Sequence, residues 1–534
     1  MPKPKAFRLM APGRSLSCGS SRNVGHPARP EPTILLRSKG FPMSVTTSEG
    51  RTPPTTATLR SGSLGTADIA FFVVSAAAPL TVMAGVAPLA ILLGGVGAPA
   101  GYLIAGITLA VFAVGFTTMS RYVKSGGAFY AYITRGLGRP VGIGAALLAL
   151  LGYNGMEIGV YGLLGTASQD TVHALFGTEV PWLPFALAGL VVIGYGGYRS
   201  IDFGAKVLGV LLVAETGILL LLAGGVLVKG GAHGLSGASF APGNVFVSGT
   251  AVVLAFAFAA FTGFESTVIY RREARSPERT VPRATYAAIG FLGLFYAFVV
   301  WIVIQAFGDE DVIAAAAKDP GGLFFSAITT YVGGWAADLM HVFIVTSVLA
   351  SLLAFHNAIN RYALALAEEG VLPKTLGRIH PRHRSPYVAG IAQTVLGAVV
   401  VLGFWAAGAD PYGQLLLWVN TPGMIGLFVL QLLAALAVPC YFRRVRHREG
   451  TLRTVVAPLV AAVLLATAIG LVITHIDLFT GASDTVNTVL IVLAPAVFVA
   501  GLVLAWWLRR ERPQVYAGFA AEPDEQATAS DSPT

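Results

Sequence analysis

Residues 254–283, LAFAFAAFTGFESTVIYRREARSPERTVPR, decide how this chain is read. The stretch opens as an apolar helix crowded with Phe and Ala and is interrupted at Thr262-Gly263. A carboxylate, Glu265, follows, and the stretch ends in a loop holding Arg271, Arg272, Arg275, Arg279 and Arg283. A glycine and an acid inside a membrane-length segment need a physical reason. Open backbone in lipid has no water to bond, so it is tolerated only where it is packed in protein or lines a cavity. Interrupted helices beside a midplane cavity are a common construction of transporter sites.

Working outward, the rest of the chain is as apolar as this stretch. Of 534 residues, 55% are hydrophobic and 12% charged, with a mean hydropathy of +0.70. A soluble domain carries about 25% charged residues, so the composition implies a polytopic helical membrane protein. The net charge of +9 is carried by loops between apolar spans, which points to membrane orientation and not to nucleic acid. The two cysteines, Cys18 and Cys440, sit far apart in the sequence, and neither a disulfide nor a metal site is expected.

Twelve apolar spans are expected, at about 69–93, 99–119, 140–167, 183–198, 205–228, 248–270, 284–307, 334–364, 387–407, 412–438, 454–474 and 487–508, each near the ~20 residues that cross a bilayer. With the N-terminus inside, 34 of the 36 Lys and Arg fall on the inner side, and only Lys229 and Lys318 lie outside. A miscounted helix would scramble that asymmetry, so both termini are expected to be cytoplasmic in a multi-pass protein of the cell membrane. Residues 1–67 are polar and expected to be disordered, as are 511–534. Met43 opens MSVTTSEGRTPP, so residues 1–42 are expected to be an over-extended start. Between the tails, residues 68–440 form the expected transport core of ten helices, and 441–510 hold helices 11 and 12.

The first span, like the sixth, carries mid-helix breakers: Pro79, Gly85 and Pro88 fall within SAAAPLTVMAGVAP. Each interrupted span opens a run of five, which fits two inverted five-helix repeats with the site between them.

The sixth-span motif resembles the signature of the amino acid–polyamine–organocation permeases. The matching positions are Phe261, Gly263, Phe264, Glu265, Glu273, Pro277, Arg279, Pro282 and Ala284. The eighth span matches at Ser347, Ser351, Asn357, Arg361, Glu369, Gly370, Leu372 and Pro373, and the loop after the second span at Gly126, Gly127, Tyr130 and Tyr132. The resemblance implies an all-α membrane protein with twelve transmembrane helices: a LeuT-like 5+5 inverted repeat with helices 1 and 6 broken, plus two further C-terminal helices. It also implies that the substrate's carboxylate and amine are held at the two breaks. There, exposed N–H groups attract an anion and exposed C=O groups accept from an ammonium. Mapped onto this chain, the substrate-binding residues are Ala77, Ala78, Pro79, Leu80 and Thr81 in the first span, and Phe258, Ala259, Thr262, Gly263 and Phe264 in the sixth. Tyr153 and Asn154 of the third span are added as cavity-facing candidates. Pro79 stands where the family usually has glycine and removes one N–H.

The carboxylates Glu157, Glu215 and Glu265 fall within the spans, and a carboxylate at membrane depth is a functional candidate by default. Glu215 is read as the carrier of a coupling proton or part of a cation site, with a hydrogen-bonded structural acid as the alternative. Glu265 either braces the broken backbone, or gates, or touches substrate. Glu157 either selects for a basic substrate or is structural. Ser347 and Ser351 offer hydroxyls where sodium-coupled relatives bind their ion, or make ordinary interhelical bonds. The loop after the second span is read as a cytoplasmic gate element.

The expected function is secondary active transport of amino acids or related amines by alternating access, coupled to protons, with sodium the second choice of ion. A polyamine or small organic cation permease, or an exchanger, is the alternative. No Walker A, HExxH or GxSxG motif occurs, so no ATPase or hydrolytic enzyme, cofactor or metal is expected.

Overall fold

The computed structural model describes residues 64–123, 128–199, 205–272 and 274–521. Most of the two tails expected to be disordered therefore lies outside the described residues, as does the start at Met43. Of the C-terminal tail, the described part holds the short helix Pro513–Gly518.

Among the described residues, eleven helical segments are long and apolar enough to cross a bilayer, and Trp182–Tyr198 is apolar at 17 residues. Each of the twelve expected spans falls on one of these twelve segments, and among the described residues the only β-pairing is an isolated bridge between Leu64 and Ala274. The chain is an all-helical multi-pass membrane protein. The third span, Arg139–Phe176, runs well past its expected end. Nothing in its sequence breaks the helix until Gly177, which takes the left-handed conformation at φ 66° and stops it.

Burial sorts the spans into centre and rim. In the sixth span, Gly249–Val268, 83% of the most apolar window is buried, and in the first, Thr66–Gly85, 71%. In the last, Asp484–Glu511, only 17% is buried, which leaves an apolar face for lipid. The two interrupted spans thus sit at the centre.

The third span, Arg139–Phe176, packs on the tenth, Leu417–Phe442, through glycines. A Cβ on Gly155 would lie 2.9 Å from the carbonyl oxygen of Val419 and 3.2 Å from Cα of Gly423. One on Gly159 would lie 2.5 Å from Oδ1 of Asn420. The small-xxx-small pair is therefore a backbone-to-backbone seam of the kind that joins membrane helices. Gly155→Leu should lower folded stability by about 1–3 kcal/mol or more, because backbone cannot yield as a side chain does. Thermal unfolding of the detergent-purified variant reads this directly.

Candidate functional site

The first span is interrupted at a single residue. Helix Thr66–Ala77 ends at Ala78, which adopts φ 46°, ψ 75°, and a second segment, Pro79–Gly85, starts at once. An L-residue in this left-handed region costs about 1–2 kcal/mol, so the surroundings must hold it there. Pro79 occupies the first position of the new segment, where its missing N–H would have had no helical partner and its fixed φ suits the helix. The proline thus starts a half-helix and interrupts no ladder. A further discontinuity at Val86 precedes Ala87–Gly94.

The sixth span breaks differently. Helix Gly249–Ala260 ends in a turn through Phe261, Thr262 and Gly263, and the chain continues as a 3₁₀ segment, Phe264–Arg272, where a resumed α-helix was expected. Gly263 sits at φ 106° with open space around its Cβ position, so the backbone conformation alone demands glycine. The residues after it bind it in place. Its N–H donates to Oε2 of Glu265 at 3.0 Å, and the Ser266 hydroxyl donates to its carbonyl at 2.6 Å. Tyr153 of the third span donates to the other oxygen of Glu265. Glu265 thus bonds both the break and the third span, and Ser266 is a partner that the sequence reading missed.

Between the two breaks lies a cavity with about 70 Å³ of space open to water-sized groups. That is several times the ~10–15 Å³ that a single such group needs. Its wall includes Ala77, Thr81, Val82 and Val86 of the first span and Phe256, Ala259, Ala260 and Thr262 of the sixth. Met156 and Val160 come from the third span, Ser351 and Phe355 from the eighth (Gly334–Glu368), and Leu416, Leu417, Asn420 and Met424 from around the start of the tenth. Phe479 completes the wall and packs on Phe256 with ring centroids 4.8 Å apart. The wall's polar side chains are Thr81, Thr262, Ser351 and Asn420, and none is ionisable.

Of the expected substrate residues, Ala77, Thr81, Ala259 and Thr262 line this cavity, as does Ser351. Ala78, Pro79, Leu80 and Gly263 form the adjoining breaks. Phe258 packs edge-on against Phe428 at 4.9 Å, and Phe264 against Phe112 and Phe116 at 6.0 and 6.3 Å. Both rings are core bulk. The Asn154 amide donates to the carbonyl of Leu150 at 2.8 Å on its own helix. Met156, Phe355, Asn420 and Phe479 were not singled out in advance. Only Asn420, a polar side chain within an apolar span, carried a legible signal.

The start of the half-helix Pro79–Gly85 is occupied by the protein itself. Leu80 N–H points to Oε2 of Glu215 at 3.5 Å, and Thr81 N–H donates to the Ser347 hydroxyl at 3.2 Å. The Thr81 and Ser347 hydroxyls are bonded at 2.7 Å, and Ser347 also bonds Glu215. Glu215, Ser347 and the break thus form one polar cluster joining the first, fifth (Ala205–Lys229) and eighth spans. Glu157 stands elsewhere, off the cavity wall and among His356, Gln393 and Tyr161.

On the expected cytoplasmic side, the Tyr130 hydroxyl donates to Oε1 of Glu369 at 3.0 Å, and burial pushes that carboxyl above its usual range. Gly126 and Gly127 of the gate motif lie outside the described residues.

Residues 68–517 match the sequence profile of the amino acid permease family. Over 158 residues, 30% of this chain and 34% of the relative, the chain is 32% identical to an uncharacterized transporter of Mycobacterium tuberculosis. It is 30% identical to a second uncharacterized transporter of that organism over 318 residues, 54% of this chain and 63% of the relative. Over 312 residues, 57% of this chain and 66% of the relative, it is 26% identical to the low-affinity putrescine importer PlaP of Escherichia coli. The matched stretches thus span from about a third to just under two thirds of these relatives.

Proposed function

The chain belongs to the amino acid permease family, and from that premise we propose that it is a secondary active transporter of amino acids or related amines in the cell membrane. It works by alternating access, with protons as the coupling ion and both termini cytoplasmic. The observation that carries this reading is a cavity lined from both interrupted spans, by Ala77 and Thr81 on one side and Ala259, Ala260 and Thr262 on the other. A cavity at the meeting of two interrupted helices is a common construction of transporter sites. Glu215 is the coupling group on this reading, because it holds the start of the moving half-helix and can exchange a proton.

A second reading, a polyamine or small organic cation permease, is favoured by one feature. The N–H groups of Leu80 and Thr81, which would hold a substrate carboxylate, are already directed at Glu215 and Ser347. The likeness to a putrescine importer points the same way.

A thermal-shift screen of the purified full chain against amino acids and diamines separates the two, since a ligand that binds the folded state raises its stability, by ~2.7 kcal/mol at a hundredfold excess over Kd. The ligand found should then accumulate in proteoliposomes against its gradient, and a protonophore should abolish the accumulation. Accumulation indifferent to the protonophore would remove proton coupling, and equilibration without accumulation would indicate a channel or an exchanger.

A further inference from the structure

Behind the cavity wall lies a polar cluster that the proposed transport mechanism does not use. Met156 and Phe355 are on the wall, but their chain neighbours Glu157 and His356 are not. They meet each other instead, with Nδ1 of His356 at 3.2 Å from Oε1 of Glu157. Only 1% of Glu157 and none of His356 is exposed. Gln393 of the ninth span, Tyr387–Ala406, donates to the second carboxylate oxygen, and Tyr161 approaches the first at 3.4 Å. A carboxylate with these partners is placed as an acceptor, which is its role when ionised.

The far edge of the imidazole is different. Nε2 of His356 has no partner, and neither has Oδ1 of Asn360, one helical turn further on and 2% exposed. Both side chains lie against the same two glycines, Gly197 of the fourth span and Gly390 of the ninth. A Cβ on Gly197 would lie 2.5 Å from Nε2 and 3.3 Å from the Asn360 amide nitrogen; one on Gly390 would lie 3.4 and 3.1 Å from them. Buried polar atoms without partners are rare and call for an explanation. An amide offers both a donor and an acceptor, and a half-turn exchanges them. Asn360 can therefore present its NH₂ to a bare Nε2 or its carbonyl to an Nε2–H.

We propose that Glu157, His356 and Asn360 form a proton-binding site inside the membrane domain, one residue behind the substrate cavity and joining the third, eighth and ninth spans. The proton adds to Nε2 of the neutral imidazole while Nδ1–H stays bonded to Glu157. The pair then passes from a net charge of −1 to zero, and the Asn360 amide turns from donor to acceptor. A net charge at this depth is costly, and the bound proton cancels it. Tyr161 is the further titratable group facing the pair. The fourth span (Trp182–Tyr198) and the ninth contribute Gly197, Gly390 and Gln393, and neither contains Asp, Glu, Lys, Arg or His. A link to turnover rests on the transport reading, but proton binding itself does not.

The test is pH-difference infrared spectroscopy on the purified full chain from roughly pH 5 to 8, the range in which histidine changes charge. A paired imidazole and carboxylate signal is expected in the native protein and in Glu215→Gln, and its loss is expected in both His356→Gln and Glu157→Gln. If those two variants do not fold, Asn360→Leu leaves the pair in place and should shift the midpoint by at least about one pH unit, a tenfold change in proton affinity. The same spectrum in the native protein, His356→Gln and Asn360→Leu would overturn the site, as would a native protein with no histidine signal. A titrating site in a protein that transports nothing would leave the site standing and sink only the transport reading.

Discussion

Glu265→Ala should reduce initial uptake rates at least about thirty-fold at equal surface expression. The substitution leaves the Gly263 N–H and the Tyr153 hydroxyl without their acceptor in a buried turn. Each orphaned group costs about 1–3 kcal/mol, so the two together disfavour the broken geometry by roughly 2–6 kcal/mol, at ~1.4 kcal/mol per factor of ten. Tyr153→Phe removes one of the two bonds and leaves the Gly263 bond intact, so its loss should be the smaller. Glu265→Gln keeps an acceptor oxygen for one partner and should fall between them. The measurement is radiolabelled uptake into proteoliposomes, with the thermal unfolding midpoint recorded for each variant. If Glu265→Ala transported at the native rate, the carboxylate would not be what braces the break.

Glu215→Gln should abolish concentrative uptake while sparing ligand binding. In the native protein the carboxylate bridges Leu80 N–H and Ser347. Protonation weakens it as an acceptor and loosens the start of the half-helix, so lowering the pH on the side facing the site favours release. Glutamine is neutral at every pH and imitates the protonated form permanently. The uptake-against-pH profile should therefore flatten, and accumulation driven by an imposed proton gradient should fall by at least about tenfold, which is ~1.4 kcal/mol of coupling. The midpoint concentration in a thermal-shift titration should move much less. A variant with the native pH profile would exclude Glu215 as the coupling group.

These two residues also mark what could be read in advance. Both breaks were legible because their signals are local: Gly263 supplies a backbone angle that few other residues adopt, and Pro79 suits the first position of a new half-helix. The span count was legible from length, apolarity and charge asymmetry. What followed Gly263 was not. Whether the chain resumes as α-helix or as 3₁₀ depends on Glu265 and Ser266 bonding back to it, a competition that no periodicity reports. The cavity wall was only half legible. Ala77, Thr81, Ala259 and Thr262 adjoin the breaks, but Met156, Phe355 and Phe479 are apolar side chains like dozens of others, and their position depends on how distant helices pack. Phe258 and Phe264 show the converse, since aromatic content near a break does not say which way a ring points. The pairing of Glu157 with His356 joins residues 199 positions apart, and only the packing of the third span on the eighth could reveal it.

The central claim is that one small solute is gripped between the two interrupted spans. Its most direct test is substituted-cysteine labelling in proteoliposomes with Ala77→Cys and Thr262→Cys, using Phe264→Cys as the buried control, all in a chain whose native Cys18 and Cys440 are replaced by serine. The account predicts that a small thiol reagent modifies both positions. It also predicts that the ligand found by the thermal-shift screen protects both over the same concentration range, while the control stays unlabelled throughout. Labelling at Ala77→Cys and Thr262→Cys that is absent, or that saturating ligand leaves unchanged, would contradict it.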